Sequence, residues 1–338
     1  MRRTIVTTAA IAALALGLSA CSDADGNGAD GDSDNGGEVS SDNGDGNGDE
    51  DLSIALISKG FQHQFWQSVK QGADEAAEEL GITVTFDGPD DESEVEQQIN
   101  QLQTALDSNP DALGIAALDS QAALPILEEA EARGIPIVAF DSGVESDIPV
   151  TTAATDNKAA AAEAAKQMSD LIGNEGDVAV ICHDQTSVTG IDRRDGFVEY
   201  IEENEPNVEV VDIQYGGGDH LESTNITRAI LESNPDLAGF YGCNEGSAIG
   251  LVNGIEETGR DDVVVVGFDS GKAQIDAIRD GVMAGAITQN PVGIGYETVM
   301  AAYKIINGES VDSEIDTGFY WYDADNIDDE TIQDVIYE

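Results

Sequence analysis

The sequence predicts an α/β fold of two doubly wound, parallel-sheet lobes with a ligand cleft between them. Three observations carry this. Short apolar runs of strand length alternate with helix-length segments across most of residues 53–306. The alternation restarts near residue 150, and Asn109-Pro110-Asp111 and Asn234-Pro235-Asp236 each stand between a helical segment and a strand, so the two halves share a plan. With 338 residues there is room for two such lobes once the ends are set aside.

Ser53-Ile-Ala-Leu-Ile-Ser58 is apolar enough to be buried on both faces, as in a parallel sheet. The helix that follows sets Val69, Ala73, Ala76, Ala77 and Leu80 on one side and charges on the other. Between them, Lys59 to Trp66 carries a cation, an imidazole, two amides and three aromatic rings. In a parallel α/β sheet such a loop stands at the carboxyl end of the first strand, where ligands bind. A strand at 83–86 and a helix at 94–108 follow, with Val95, Ile99, Leu102 and Leu106 on its inner face and Pro110 beyond its end. After a strand at 112–117, Asp119 reads as the N-cap of a helix at 124–133, which Gly134 stops. A strand at 136–140 then delivers Asp141 to the ligand edge.

The second half opens with a strand at 150–153 and a helix at 158–171. Strands at 178–182, 208–215, 237–241, 263–268 and 284–289 alternate with helices at 194–203, 223–231, 247–258 and 272–280. Helix 293–306 and the tail 315–338 must cross back, since two-lobed cleft proteins join their lobes by more than one strand. The expected layout is a first lobe of 52–154 plus 290–318 and a second of 155–289 plus 319–338.

The ends carry a different message. Met1-Arg2-Arg3 is basic, 4–17 is mostly apolar but too short to span a bilayer, and Leu18-Ser19-Ala20-Cys21 resembles the bacterial lipobox. This predicts a signal peptide over 1–21 that leaves Cys21 as a lipidated N-terminus. The twin Arg lacks the rest of a twin-arginine motif. Residues 22–51 are almost wholly Asp, Gly, Asn and Ser, a composition that cannot bury enough to offset its ordering entropy, and read as a flexible tether. Its Asp23-Ala-Asp25 start matches a calcium loop only as any such tract does.

The formal charge is −54, from 14 basic and 68 acidic residues. A surface of this sign repels phosphate and excludes nucleic acid as a partner. Paired acids on helix faces (Glu128-Glu129, Glu202-Glu203, Glu256-Glu257) read as solvated surface, suited to high salt that screens self-repulsion. Cys182 and Cys243 each end an apolar run. In flavodoxin-like strand order their strands are neighbours, so in an exported chain a disulfide and two buried thiols are both open.

Lys59-Gly-Phe-Gln-His-Gln-Phe-Trp66, Phe140-Asp141, Ala154-Thr-Asp-Asn157, Arg193-Arg-Asp-Gly-Phe197, Cys243-Asn-Glu-Gly246, Val266-Gly-Phe-Asp269 and Thr288-Gln-Asn-Pro291 occur in this order. Together, from about Ser53 onward, they resemble the ribose-type periplasmic sugar-binding proteins, the soluble partners of ABC sugar importers. The resemblance implies a type I periplasmic-binding fold, three crossovers, hinge closure and a monomer. It implies ligand contacts at Lys59, His63, Phe65, Trp66, Asp141, Arg193, Asn244, Asp269 and Gln289. Rings at 65 and 66 suit the C–H faces of a sugar, and the polar groups suit its hydroxyls, with Lys59 and His63 at the rim. Two positions depart from ribose binders: Ser142 stands where they carry Arg, and Gly218 where they carry a ring.

Plainer readings stand beside these. Phe65 and Trp66 could belong to the core, since adjacent rings do not share one face. Arg193 could pair with Asp192 or Asp195, and Asp269 could cap the next helix. His183 and His220 have acidic neighbours but no second ligand at metal spacing, and Gly216-Gly217-Gly218 lacks dinucleotide or P-loop spacing, so no metal and no cofactor are expected. No nucleophile–base pair marks an enzyme. The expected function is a substrate-binding lipoprotein on the outer face of the cytoplasmic membrane, handing a pentose, hexose or polyol to permease subunits. The alternative is a sensor for a sugar or furanosyl signal. A sugar-responsive repressor would need a DNA-binding helix-turn-helix in place of the acidic tether.

Overall fold

The computed structural model describes residues 52–337; the signal segment, the lipobox with Cys21, the tether and its Asp23-Ala-Asp25 match lie outside the described residues. Two six-stranded sheets organise the described chain. In the first, β1 (Ser53–Ile57), β2 (Thr83–Asp87), β3 (Ala112–Ile115), β4 (Ile137–Phe140) and β5 (Thr151–Ala154) run parallel in the order β2-β1-β3-β4-β5. In the second, β6 (Gly176–Cys182), β7 (Val208–Tyr215), β8 (Gly239–Gly242), β9 (Val264–Phe268) and β10 (Gly285–Gln289) repeat that order. Late in the chain, β11 (Glu314–Asp316) joins the first sheet beside β5, and β12 (Phe319–Asp323) joins the second beside β10, antiparallel. The chain thus passes between sheets after β5, after β10 and between β11 and β12.

Helices cover both faces of each sheet, which is why the central strands read as continuous apolar runs, whereas the edge strands β2 and β7 are mostly exposed or half-buried. β1 sends Ile54 and Leu56 into one apolar cluster, with α1 (Gln64–Leu80), and Ala55 and Ile57 into another, with α2 (Val95–Asp107) and α3 (Leu124–Arg133). In the second lobe, Val178 and Val180 face α4 (Asn157–Ile172) and α5 (Val188–Asn204), while Ala179 and Ile181 face α6 (His220–Ser233), α7 (Glu245–Thr258) and α8 (Lys272–Arg279). After β10 the chain returns as α9 (Pro291–Ile306), which lies along α1. Glycines set that contact: a Cβ at Gly72 would fall 1.8 Å from the Val292 carbonyl, and one at Gly295 1.9 Å from that of Val69. The tail forms α10 (Glu330–Gln333) against the second lobe, then lays Tyr337 beside Phe65 of the first.

Several elements start earlier than expected. α5 begins at Val188, capped by Ser187, whose Oγ accepts from Gly190 N at 3.1 Å. Its first turn, Val-Thr-Gly, has weak helix propensity and hides the start. Asp219 and Asn244 cap α6 and α7 in the same way. Asp119 is not the N-cap of α3. It accepts from Gln121 and Ala122 N–H in a turn before the helix, whose N-cap position is Ala123. Asp and Asn stabilise such turns as readily as helix starts, so residue type alone did not separate the two.

Candidate functional site

The carboxyl ends of the strands in both sheets face one another, and the loops there meet across a narrow cleft. From the first lobe, the loop after β1 brings Lys59 and His63, each 2% exposed. The expected rim position is corrected: both are buried because the second lobe covers them. Lys59 Nζ donates across the cleft to Thr189 Oγ1 at 3.1 Å and Ser187 Oγ at 3.5 Å. The His63 ring stacks on His220 of α6 with centroids 5.6 Å apart, and neither of its nitrogens has a hydrogen-bond partner. All three histidines of the chain, at 63, 183 and 220, therefore gather at this cleft.

Phe65 and Trp66 occupy the first turn of α1, both buried, their rings perpendicular and 4.9 Å apart. Both adjacent rings line the cavity, although neighbouring helix positions do not share one face. The cavity lies off the end of α1, and helical side chains tilt toward the amino end, so two neighbouring faces reach it. They also belong to the core cluster of the first lobe, so the core and cavity readings both hold. The Trp66 indole donates from Nε1 to Glu92 Oε1 at 2.8 Å.

Asp141 follows β4 and Asp269 follows β9, equivalent places in the two lobes. Both have left-handed backbones, φ 56° and 79°, which Asp tolerates better than most side chains. Arg193 lies between them, 3.9 Å from Asp141 Oδ1 and 4.0 Å from Asp269 Oδ2. Its Nε donates to Asn157 Oδ1 at 2.7 Å and its Nη1 to the Cys243 carbonyl at 3.0 Å, and the guanidinium sits 3.8 Å above the Phe268 ring. Surface pairing falls instead to Arg194, which bonds Asp195. Asp269 does not cap α8, whose N-cap position is Gly271; it accepts from the Glu245 N–H at the start of α7 and from Gln289 Nε2 at 2.7 Å. Asn244 Nδ2 donates to Glu92 Oε2 at 3.3 Å. A disulfide joins Cys182 and Cys243 with Cα atoms 4.7 Å apart, beneath His183 and Asn244.

All nine residues singled out from the sequence line one cavity of ≈ 20 Å³, together with Glu92, His183 and Thr189. A wider hollow of ≈ 550 Å³ shares Asp141 and continues along the hinge past Asp156 and Asp316. The sequence reading missed Glu92 because one acid in an Asp-Asp-Glu-Ser run is indistinguishable from solvated surface. Thr189 lies in the start of α5, which its sequence hides, and the sequence around His183 suggests only a metal ligand. Among the described residues no group of three or more His, Cys, Asp or Glu is placed to hold a metal ion.

Burial and charge set the protonation of the walls. Burial alone would raise the Glu92 carboxyl, but Lys59, the imidazoles of His63 and His183, and the Trp66 N–H more than offset it and hold it at about 2. Burial pushes Asp141 up to about 6, against the pull of Lys59 and Arg193 and with help from Glu92 and Asp269. Burial, with the Lys59 charge beside it, holds His183 well below the usual imidazole range. At neutral pH the walls thus present fixed acceptors and donors and a neutral His183.

A sequence model of the periplasmic binding protein domain matches residues 54–310. The chain belongs to that family. This periplasmic binding protein is 26% identical over 266 residues to the ribose import binding protein RbsB of Bacillus subtilis (strain 168), a match covering 79% of this chain and 85% of the relative. It is 28% identical over 233 residues to the D-apiose import binding protein of Actinobacillus succinogenes, covering 69% and 73%. Among solved structures, an ABC transporter solute-binding protein from Agrobacterium vitis with bound D-fucose superposes with a TM-score of 0.82 at 33% identity, covering 84% of this chain and 100% of the other. A second from the same organism, bound with α-D-tagatopyranose, gives 0.82 at 29%, covering 85% and 99%. The relatives are of the ribose type, the fold is the type I periplasmic-binding fold, and the family binds solutes without transforming them.

Proposed function

We propose that this protein captures a neutral monosaccharide between its lobes and delivers it to the membrane permease of an ABC importer, tethered outside the cytoplasmic membrane through a lipid on Cys21. The observation that carries the sugar reading is the state of the cavity's polar groups. Gln289 Oε1 and both ring nitrogens of His63 are buried without a hydrogen-bond partner. Such orphans cost free energy, and groups that both donate and accept, as hydroxyls do, satisfy them. Beside them lie two aromatic rings able to take the C–H face of a sugar. The sugars named with the relatives and solved structures, ribose, apiose, fucose and tagatose, are all monosaccharides.

The departures at 142 and 218 separate the ligand from plain ribose. Ser142 is fully buried and its Oγ has no partner, so a hydroxyl stands where a ribose binder carries a cation. Gly218 has φ 68°, and a Cβ there would fall 3.0 Å from Glu92, 3.3 Å from Asn244 and 3.4 Å from His63, so the position leaves no room for a ring. The ≈ 20 Å³ cavity is smaller than any monosaccharide, so entry requires the lobes to part about their three crossings. The test is isothermal calorimetry of the chain without residues 1–51, in high salt, against D-ribose, D-allose, D-fucose, D-tagatose and D-arabinose. Saturable binding of one of these with unit stoichiometry supports the sugar reading, and tightest binding of D-ribose sinks the part of it that turns on Ser142 and Gly218. Heat-free mixing with all of them and with a wider polyol set sinks it.

A further inference from the structure

Glu245 opens α7 in the second lobe and is 4% exposed. Its carboxylate reaches the amino end of α1 in the first lobe. Oε1 accepts from the Gln64 N–H and Oε2 from the Phe65 N–H, each at 3.3 Å. α1 lacks a cap of its own: His63 at the N-cap position makes no side-chain cap bond, and the first turn holds no acid. Those amides are the orphan donors that every helix start must satisfy, and they sit at the positive end of its dipole. Gln64 makes a second crossing, its Oε1 accepting from Lys272 N at 2.8 Å. A Cβ at Gly271 would fall 2.9 Å from the Glu245 carboxylate and 3.2 Å from Gln64 Oε1, so glycine leaves these two groups room. On its other side, Glu245 N donates to Asp269 Oδ2 at 2.8 Å, and Asp269 Oδ1 accepts from Gln289 Nε2.

We infer that Glu245 is a positioning residue: when the lobes close, it supplies the cap α1 lacks and so fixes Phe65 and Trp66 against the ligand. This rests on reading the cavity as a sugar site and deepens that reading. The chain Gln289–Asp269–Glu245–α1 joins groups on the cavity wall to the amino end of a helix in the opposite lobe. When the lobes part, the two α1 amides return to water and Glu245 loses both bonds. The residue therefore acts after encounter, and its effect belongs to release of the sugar and not to its capture.

The experiment uses Glu245→Ala and the near-isosteric Glu245→Gln, the latter able to keep one accepting oxygen. Stopped-flow fluorescence follows association and dissociation of whichever panel sugar the wild type binds most tightly. Glu245→Ala is expected to raise the dissociation rate about 10- to 100-fold, from the loss of two charge-assisted bonds, with association changed less than about twofold. Glu245→Gln is expected to fall between. An unchanged dissociation rate in both variants overturns the proposal, as does an equal loss in the association rate. A second readout follows the helix itself. In the wild type, hydrogen exchange at the Gln64 and Phe65 amides is expected to slow when sugar closes the lobes; in Glu245→Ala at saturating sugar that slowing is expected to be lost while β1 and α9 stay protected, and undiminished slowing at both amides overturns the inference. Should no panel sugar bind the wild type, the sugar reading falls and the inference that rests on it falls with it; should sugar bind with both amides unaffected by the substitution, the inference alone falls.

Discussion

Asp141 illustrates how a single buried carboxyl shapes the response to acid. Its folded-state pKa of about 6 lies above the ordinary 3.8, so the folded protein takes up this proton before the unfolded chain does. Stability from this group therefore increases as pH falls from about 6 toward 3.8, and at neutral pH its burial costs on the order of 3 kcal/mol. His183, held neutral, contributes with the opposite sign, and Glu92 loses its contribution only below 4.5. Urea unfolding of wild type and Asp141→Asn at a series of pH values isolates the Asp141 part. The stability difference between the two proteins is expected to change between pH 6 and 4 and to be flat above 7. A difference independent of pH would show that Asp141 is not proton-linked. Trp66→Phe is the second test at this scale. It keeps the ring face but leaves Glu92 Oε1 without its indole donor, and sugar affinity by calorimetry is expected to fall about 10-fold. The polar and aromatic residues that follow strands were legible because only the strand-end rule was needed to place them together. Glu92 and Glu245 were not, since their roles depend on which face of a distant loop or helix start they meet.

At the scale of elements, the α1–α9 pair is where backbone meets backbone. Gly72→Ala puts a methyl where the Val292 carbonyl stands, so the helices must move apart or tilt. A loss of about 1–3 kcal/mol is expected in urea unfolding, with an unchanged m-value. Gly281→Ala is the comparison: no atom lies within 4 Å of a Cβ there, but φ is 77°, so its loss measures backbone strain without crowding. The same device recurs where Gly196 meets the Lys158 carbonyl between α5 and α4, while between α7 and α6 Gly254 makes room for the Thr227 side chain. Strand positions were the most readable elements because burial on both faces writes them as uninterrupted apolar runs. Helix starts were the least readable. α5 opens with Val, Thr and Gly, and only the Ser187 cap and the packing of Phe197 declare it. The late strand β11 is only Glu-Ile-Asp and too short to read, and β12, though aromatic over residues 319–322, follows it with no helix between and so falls outside the strand–helix alternation.

For the molecule as a whole, charge is the governing quantity. The acid pairs on α3, α5 and α7 are all exposed, and the strongly acidic excess of the chain makes the compact state repel itself. Unfolding midpoints in urea are expected to rise steadily between 0.1 M and 2 M potassium chloride, beyond the rise shown by a protein of near-zero charge in the same buffers. A midpoint indifferent to salt would remove screening as a factor. Two-lobed architecture was legible from the restart of the strand–helix pattern, whereas the exchange of edge strands followed only from the expected layout that puts 290–318 in the first lobe and 319–338 in the second, because nothing local in 314–323 says which sheet each piece will join. That exchange has a consequence for biogenesis. During synthesis the first sheet is almost complete by residue 154, yet its outer strand waits for a partner more than 150 residues downstream, and β10 waits similarly for β12. Until the final segment emerges, each half offers a bare strand to any neighbouring chain. A nascent chain stalled or cleaved before Glu314 is thus a pair of nearly finished sheets with open edges, and its hazard lies in sticking to others of its kind and not in failing to fold.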